Sequence, residues 1–330
     1  MIADSSSHFK LFRVLWFPLS VNAILLGAAS IVLFHLGTML SCALFADTAD
    51  AGRFTESFPA TVISVVLLRG LPVDTPSGIF LLQTLLGFAL WSLFGVAMCR
   101  VLALRICRDE YCDMGGALRY SWRVRRTGIL FPMAIALPAL LLAGFNALAG
   151  LVFQIPWVGW LLSAVLLPLV LLSSILLVLI GLGGFLSLAM VPAAIAVERR
   201  GTYDSIGKSF NYILARPTVV LANALLVFAL VWLLNELFLG QRVVEQVLQF
   251  TAVPFWENQT YKAILQGQAE SLQGFEWFCA SVHNLVLRVY DLLVRGLLLS
   301  FCFGGGTALF LILRRDIDGL DEAEIAREAS

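Results

Sequence analysis

Six apolar runs dominate the chain: Leu15 to Leu44, Ile79 to Val101, Ile129 to Phe153, Trp160 to Ala193, Val219 to Leu239 and Leu292 to Leu313. A helix rises about 1.5 Å per residue, so about 20 residues cross a hydrocarbon core of about 30 Å, and every run is long enough. Lipid offers no partners to open backbone groups, and the runs lack the strict alternation of membrane strands. Each is therefore predicted to be a spanning helix. The fourth run exceeds what one upright crossing needs. It fits either a single tilted helix kinked near Pro168 and Gly181-Leu182-Gly183-Gly184, or two short passes.

Charge placement separates these options, because Lys and Arg favour the cytoplasmic side of short loops. Six crossings gather Lys10, Arg13, the seven arginines from Arg100 to Arg126, Arg199, Arg200, Lys208, Arg216, Arg314, Arg315 and Arg327 on one side. The other side keeps Arg53, Arg69, Arg242, Lys262, Arg288 and Arg295. Folding the fourth run into two passes would carry the Arg199 to Arg216 group across and spoil the bias. The expectation is an all-α polytopic membrane helix bundle of six crossings, with both termini in the cytoplasm of a bacterial inner membrane.

The polar stretches between runs carry a second pattern. Gly116-Ala117-Leu118-Arg119-Tyr120-Ser121-Trp122 and Asp204-Ser205-Ile206-Gly207-Lys208-Ser209-Phe210 share the order small, aliphatic, two variable, Ser, aromatic, at an offset of 88 residues. Each precedes an apolar run, as an internal repeat requires. At helical spacing Met114, Leu118 and Trp122 share one face and Arg119, Arg123 and Arg126 another. In the second copy Tyr203, Ile206, Phe210 and Ile213 oppose Asp204, Lys208 and Asn211. Such helices are expected to lie in the membrane interface, with Arg119, Arg123, Arg126 and Lys208 as candidate contacts for anionic headgroups. A plain linker packed on the helix ends is the alternative. Ser7 to Arg13 forms a fainter third copy. The predicted units are a first hairpin with a long outer loop (1–112), a second hairpin (113–200), a third with a long outer loop (201–315) and an acidic tail (316–330). Short outer-face helices are expected around Phe58 to Leu67 and Val243 to Leu248.

Composition agrees with lipid as the solvent. Hydrophobic residues make up 60% and charged residues 13%, with mean hydropathy +0.90, whereas soluble domains carry about 25% charged residues. The 22 basic and 22 acidic residues cancel, so no charge excess recommends a nucleic-acid partner. The first run is longer than the h-region of a signal peptide and is read as an uncleaved span. The six cysteines are spread over both predicted sides and form no disulfide framework, although Cys42 and Cys279 share the oxidising side. Cys107 and Cys112 have no neighbouring His to complete a zinc site.

Ionisable groups within or beside apolar runs are costly and mark candidate sites. Glu236 lies near the outer end of the fifth run beside Asn235, and Arg288, Asp291 and Arg295 precede or enter the sixth. The spacing lets Asp291 pair with both arginines, and Glu236 can reach them if the two helices pack. Both an outer-leaflet ion pair and a proton or substrate path fit this pattern. His35 and His283 stand alone, and no metal site is expected. Gly181, Gly184, Gly304 and Gly306 are candidate helix-packing glycines, with backbone kinking as the other reading. Walker, HExxH and GxSxG motifs are absent, so neither catalysis nor a cofactor is expected.

Pro192-Ala193-Ala194-Ile195-Ala196-Val197-Glu198, Asp204 to Phe210, Arg216-Pro217 and Leu313-Arg314-Arg315-Asp316-Ile317-Asp318-Gly319 resemble a large group of uncharacterised bacterial polytopic membrane proteins. They are also distantly similar to the membrane domain of glycerophosphodiester phosphodiesterases. Those phosphodiesterases carry a separate catalytic barrel, and no segment here encodes one, so the resemblance implies a fold and no reaction. The expected role is a non-catalytic membrane component that assembles, organises lipid or anchors a membrane or cytoplasmic protein partner. The alternative is a transporter or channel subunit for a lipid-like or small solute.

Overall fold

A computed structural model describes residues 20–45, 77–155, 158–199, 201–240 and 275–319. Within these residues the chain forms α1 (Val21–Phe45), α2 (Ser77–Arg108), α3 (Met114–Arg123), α4 (Arg125–Phe153), α5 (Val158–Glu198), α6 (Thr202–Ala215), α7 (Pro217–Asn235) and α8 (Phe275–Asp318). A single π-helical turn, Glu236–Gly240, extends α7. No strand occurs among the described residues. Six of the helices, α1, α2, α4, α5, α7 and α8, are long and apolar enough to cross a membrane. The protein is an all-α, multi-pass membrane protein. The predicted outer-loop helices, the Ser7 to Arg13 segment and the tail beyond Gly319 lie outside the described residues.

The fourth run forms one uninterrupted helix of 41 residues, with Pro168 and Pro192 inside it. α8 is longer still, at 44 residues. Helices of this length reach about 60 Å, twice the hydrocarbon thickness. Much of the surplus forms packed structure at their C-terminal ends. The core contains Phe94 to Leu104 of α2, Met190 to Val197 of α5 and Phe303 to Leu313 of α8, joined by Tyr120 of α3 and Tyr212 of α6. α2, α5 and α8 touch one another pairwise, α1 packs between α8 and α2, and α4 packs between α2 and α5. α7 packs on α8 and α6. Accordingly α8 and α2 bury 72% and 61% of their apolar spans, against 6% each for α5 and α7.

Small residues set the closest approaches. A Cβ on Gly27 of α1 would lie 2.7 Å from the Gly296 carbonyl oxygen of α8, and one on Gly296 only 2.5 Å from the Ile24 oxygen. Backbone therefore meets backbone, which is how lipid-embedded helices gain packing without a hydrophobic driving force.

The three central helices also end alike. Asp109, Arg199 and Gly319 follow α2, α5 and α8 with φ of 54°, 52° and 66°. A left-handed residue turns the chain away and lets its amide reach back to the last turn, as the Arg199 and Gly319 amides do to the Ile195 and Arg315 carbonyls. The Asp113 carboxylate then caps α3 by accepting from the Gly115 amide at 3.2 Å. α3 doubles back along α2, so that the Ser121 hydroxyl donates to the Leu93 carbonyl. α6 does the same along α5, where the Phe210 ring lies against Gly183.

Candidate functional site

The polar groups of the core collect where α5, α6 and α8 meet. Glu198 is the last residue of α5 and its side chain is 5% exposed. Lys208 Nζ of α6 lies 2.6 Å from Glu198 Oε1 and 2.6 Å from Asp318 Oδ2 of α8. Arg314 Nε approaches the same Glu198 oxygen at 3.0 Å. The Tyr212 hydroxyl donates to Asp318 Oδ2 at 2.6 Å, and its ring tilts against Phe310. Two acids thus face two bases. Balance of this kind is what burial demands, since each unpaired ion costs several kcal/mol in a low-dielectric interior. Burial, reinforced by the bond to Asp318, holds the Tyr212 phenol well above its usual pKa, so it remains a donor.

A second group closes the end of α5. The Arg100 guanidinium donates to the Ala196 carbonyl at 2.9 Å, and the Tyr120 hydroxyl donates to the Ile195 carbonyl at 2.9 Å. Arg100 also stacks on Tyr120, 4.6 Å from the ring centroid. The last turn of a helix carries partial negative charge and carbonyls short of intrahelical donors, and a buried cation there meets both needs.

The structure redistributes the residues expected from sequence. Lys208 does not face headgroups, because two carboxylates hold its nearly buried ammonium. The buried face of α3 is Ala117, Tyr120 and Ser121, while Trp122 is 60% exposed. The buried face of α6 is Thr202, Ser205, Ser209, Tyr212 and Ile213, with Tyr203 outside. The Ser121 and Thr202 hydroxyls bond the Leu93 and Thr127 carbonyls of neighbouring helices, and Ser209 bonds the Ser205 carbonyl of its own helix, so small polar groups and not the aromatic stripe line these faces. Arg119, Arg123 and Arg126 are exposed. Arg119 reaches back to the Gly115 carbonyl, and Arg125 stacks over Trp122 at 4.9 Å.

The polar group predicted for the outer side is brought only partly together. Asp291 pairs with Arg295 at 2.9 Å one turn on, and both side chains are 43% exposed. Arg288 is exposed, and Glu236 opens the π-helical turn. Among the described residues no ion pair joins Glu236 to Arg288 or Arg295. α7 and α8 are linked there by the Tyr290 hydroxyl, which donates to the Phe238 carbonyl at 3.3 Å.

Of the four glycines, a Cβ on Gly184 would meet the Ile135 side chain at 2.8 Å, and one on Gly306 would meet Ala189 Cβ at 2.5 Å. Gly304 is buried. Gly181 faces open space, so no close approach depends on it. Cys99, Cys107, Cys112 and Cys302 are in no disulfide, and the side chains of Cys42, Cys279 and His283 lie outside the described residues. Among the described residues no group of three or more His, Cys, Asp or Glu is placed to hold a metal ion.

Glu198, Tyr212, Arg314, Asp318, Arg100 and Tyr120 were not among the site residues expected from sequence. The visible signal was an acid or arginine abutting the end of an apolar run. Comparison with protein-family models, curated proteins and solved structures returns no match.

Proposed function

We propose that this protein is a non-catalytic component of a bacterial inner membrane, with both termini cytoplasmic, that organises lipid and anchors a protein partner. The observation that carries the reading is where the charge goes. Glu198, Lys208, Arg314 and Asp318 neutralise one another, and Arg100 closes a helix end, so the buried charges of the core join helices to helices. The outward surfaces are an apolar belt on α4, α5 and α7 and a basic, aromatic rim on α3. The rim suits an anionic cytoplasmic leaflet, and the matching courses of α3 and α6 support a unit repeated along the chain. Gentle purification followed by identification of copurifying proteins tests the reading. A stoichiometric protein partner is expected, and repeated isolation of the chain alone from native membranes would defeat the anchoring role.

The transporter reading draws on one feature, the uncovered apolar face of α5. α1 and α4 each pack on two central helices and α7 packs on α8 and α6, while Leu172, Ile175, Leu179 and Leu182 of α5 are exposed. A crosslink between cysteines placed on α5 and α7 that stops movement of a lipid-like solute in vesicles would favour this alternative.

A further inference from the structure

The junction between α3 and α4 carries more exposed positive charge than its counterpart between α6 and α7. Trp122, Arg123, Arg125 and Arg126 follow one another within five positions and all are exposed, whereas the α6–α7 elbow offers Arg216 alone. Arg125 is held in place, with its guanidinium stacked on the exposed Trp122 ring and bonded to the Trp122 carbonyl at 3.1 Å. Arg126 heads a stripe on α4. Leu130, Met133, Leu137, Leu140 and Leu141 follow at helical spacing and are 50% to 68% exposed. The opposite face of α4 is occupied by the rest of the protein, through Phe131, Ile135 against Gly184, and Asn146 bonded to Ser173 and Ser174.

We propose that this stripe is a binding site for one anionic phospholipid of the adjacent leaflet. Arg125 and Arg126 take the phosphate, Trp122 sits at the level of the ester groups, and an acyl chain runs along Leu130 to Leu141. Three features select this occupant. The charge is of one sign at one end only, and Trp beside Arg is the pairing that suits a boundary between headgroup and hydrocarbon. The apolar part spans about 16 Å at the helical rise, close to one leaflet of a hydrocarbon core about 30 Å thick. Its side chains are also bulky, without the small notches that let another helix pack closely. Arg119 belongs to a different place, because its guanidinium returns to the Gly115 carbonyl at the start of α3. The site deepens the lipid-organising part of the proposed function and rests on it.

The test uses the full chain in detergent, titrated with phosphatidylglycerol or phosphatidylcholine of identical acyl chains, with bound lipid counted by native mass spectrometry. Phosphatidylglycerol is expected to be retained at about tenfold lower concentration, and the double variant R125Q/R126Q is expected to lose that preference. R216Q, at the other elbow, is expected to keep it. Thermal unfolding in phosphatidylcholine checks that the variants remain folded. Inorganic phosphate at the same concentration is expected to leave the bound lipid in place, since it lacks the acyl contacts. Equal retention of the two lipids, an equal loss in R216Q, or displacement by phosphate would each overturn the site. None of these results touches the copurified partner by which the wider reading is judged.

Discussion

The guanidinium of Arg314, near the end of α8, lies 3.0 Å from the carboxylate of Glu198, the last residue of α5, and both side chains are almost wholly buried. The contact ties two central helices together, and Lys208 ties α6 to both. Removing Glu198 leaves two cations facing one acid in a dry site. E198A is expected to cost about 3–5 kcal/mol. Replacing the pair together, as E198L/R314L, is expected to recover much of that loss and leaves Lys208 with Asp318. Chemical unfolding in micelles measures both variants, and a double variant as unstable as the single one would show that pairing is not the cause.

Tyr212 gives a spectroscopic prediction. Its phenol is held protonated by burial and by the bond to Asp318, so folding favours the neutral form. That contribution is full below the ordinary phenol pKa of about 10 and falls as pH rises beyond it, because only the unfolded chain ionises there. The chain has six tyrosines. In a folded-state titration of phenolate absorbance, Y212F should match the wild type up to the alkaline unfolding point. A missing unit of absorbance before unfolding would contradict the assignment.

Gly296 and Gly181 should respond oppositely to the same substitution. G296A places a methyl group against the backbone of α1 and is expected to destabilise by about 1–3 kcal/mol. G181A meets open space on a helix and is expected to be neutral or to stabilise by up to about 1 kcal/mol. Melting temperatures in one detergent compare them, and similar effects at both positions would argue against the close approach of α1 and α8.

Arg100 is expected to govern the last turn of α5. R100M removes a charged donor from the Ala196 carbonyl, a loss of about 1.5–3 kcal/mol. Hydrogen exchange should accelerate at the Arg199 amide, which bonds the Ile195 carbonyl, and stay unchanged in α1. Uniform acceleration across the protein would indicate general loosening instead of a local cap.

The spanning helices were legible because one physical constraint dominates them. Any run of about 20 apolar residues in lipid must satisfy its backbone internally, and the arginines beyond Glu198 fixed the fourth run as one crossing. The buried faces of α3 and α6 were not legible from hydrophobicity. Ser121 and Ser209 are buried in place of Trp122 and Tyr203 because a small side chain whose hydroxyl is satisfied by a carbonyl, of α2 for Ser121 and of its own helix for Ser209, fits closer to a neighbouring helix than a large ring does. The charge cluster was hidden for another reason. Glu198, Lys208 and Asp318 each look like an ordinary polar residue beyond a membrane span, and only the convergence of α5, α6 and α8 brings them together. Lys208 illustrates the cost of reading one helix alone, since its place on the polar face of α6 says nothing of the carboxylates waiting there.

The cluster also orders events during synthesis. Glu198 and Lys208 leave the ribosome well before Arg314 and Asp318, so a nascent chain lacking α8 has the Glu198–Lys208 pair without the two charged groups that α8 adds. Only when the latest-made described helix docks does this pair gain the second acid and second base that enclose it. Up to that moment α5 and α6 remain easier to hydrate and easier to pull apart, which places the commitment to the native arrangement at the arrival of α8.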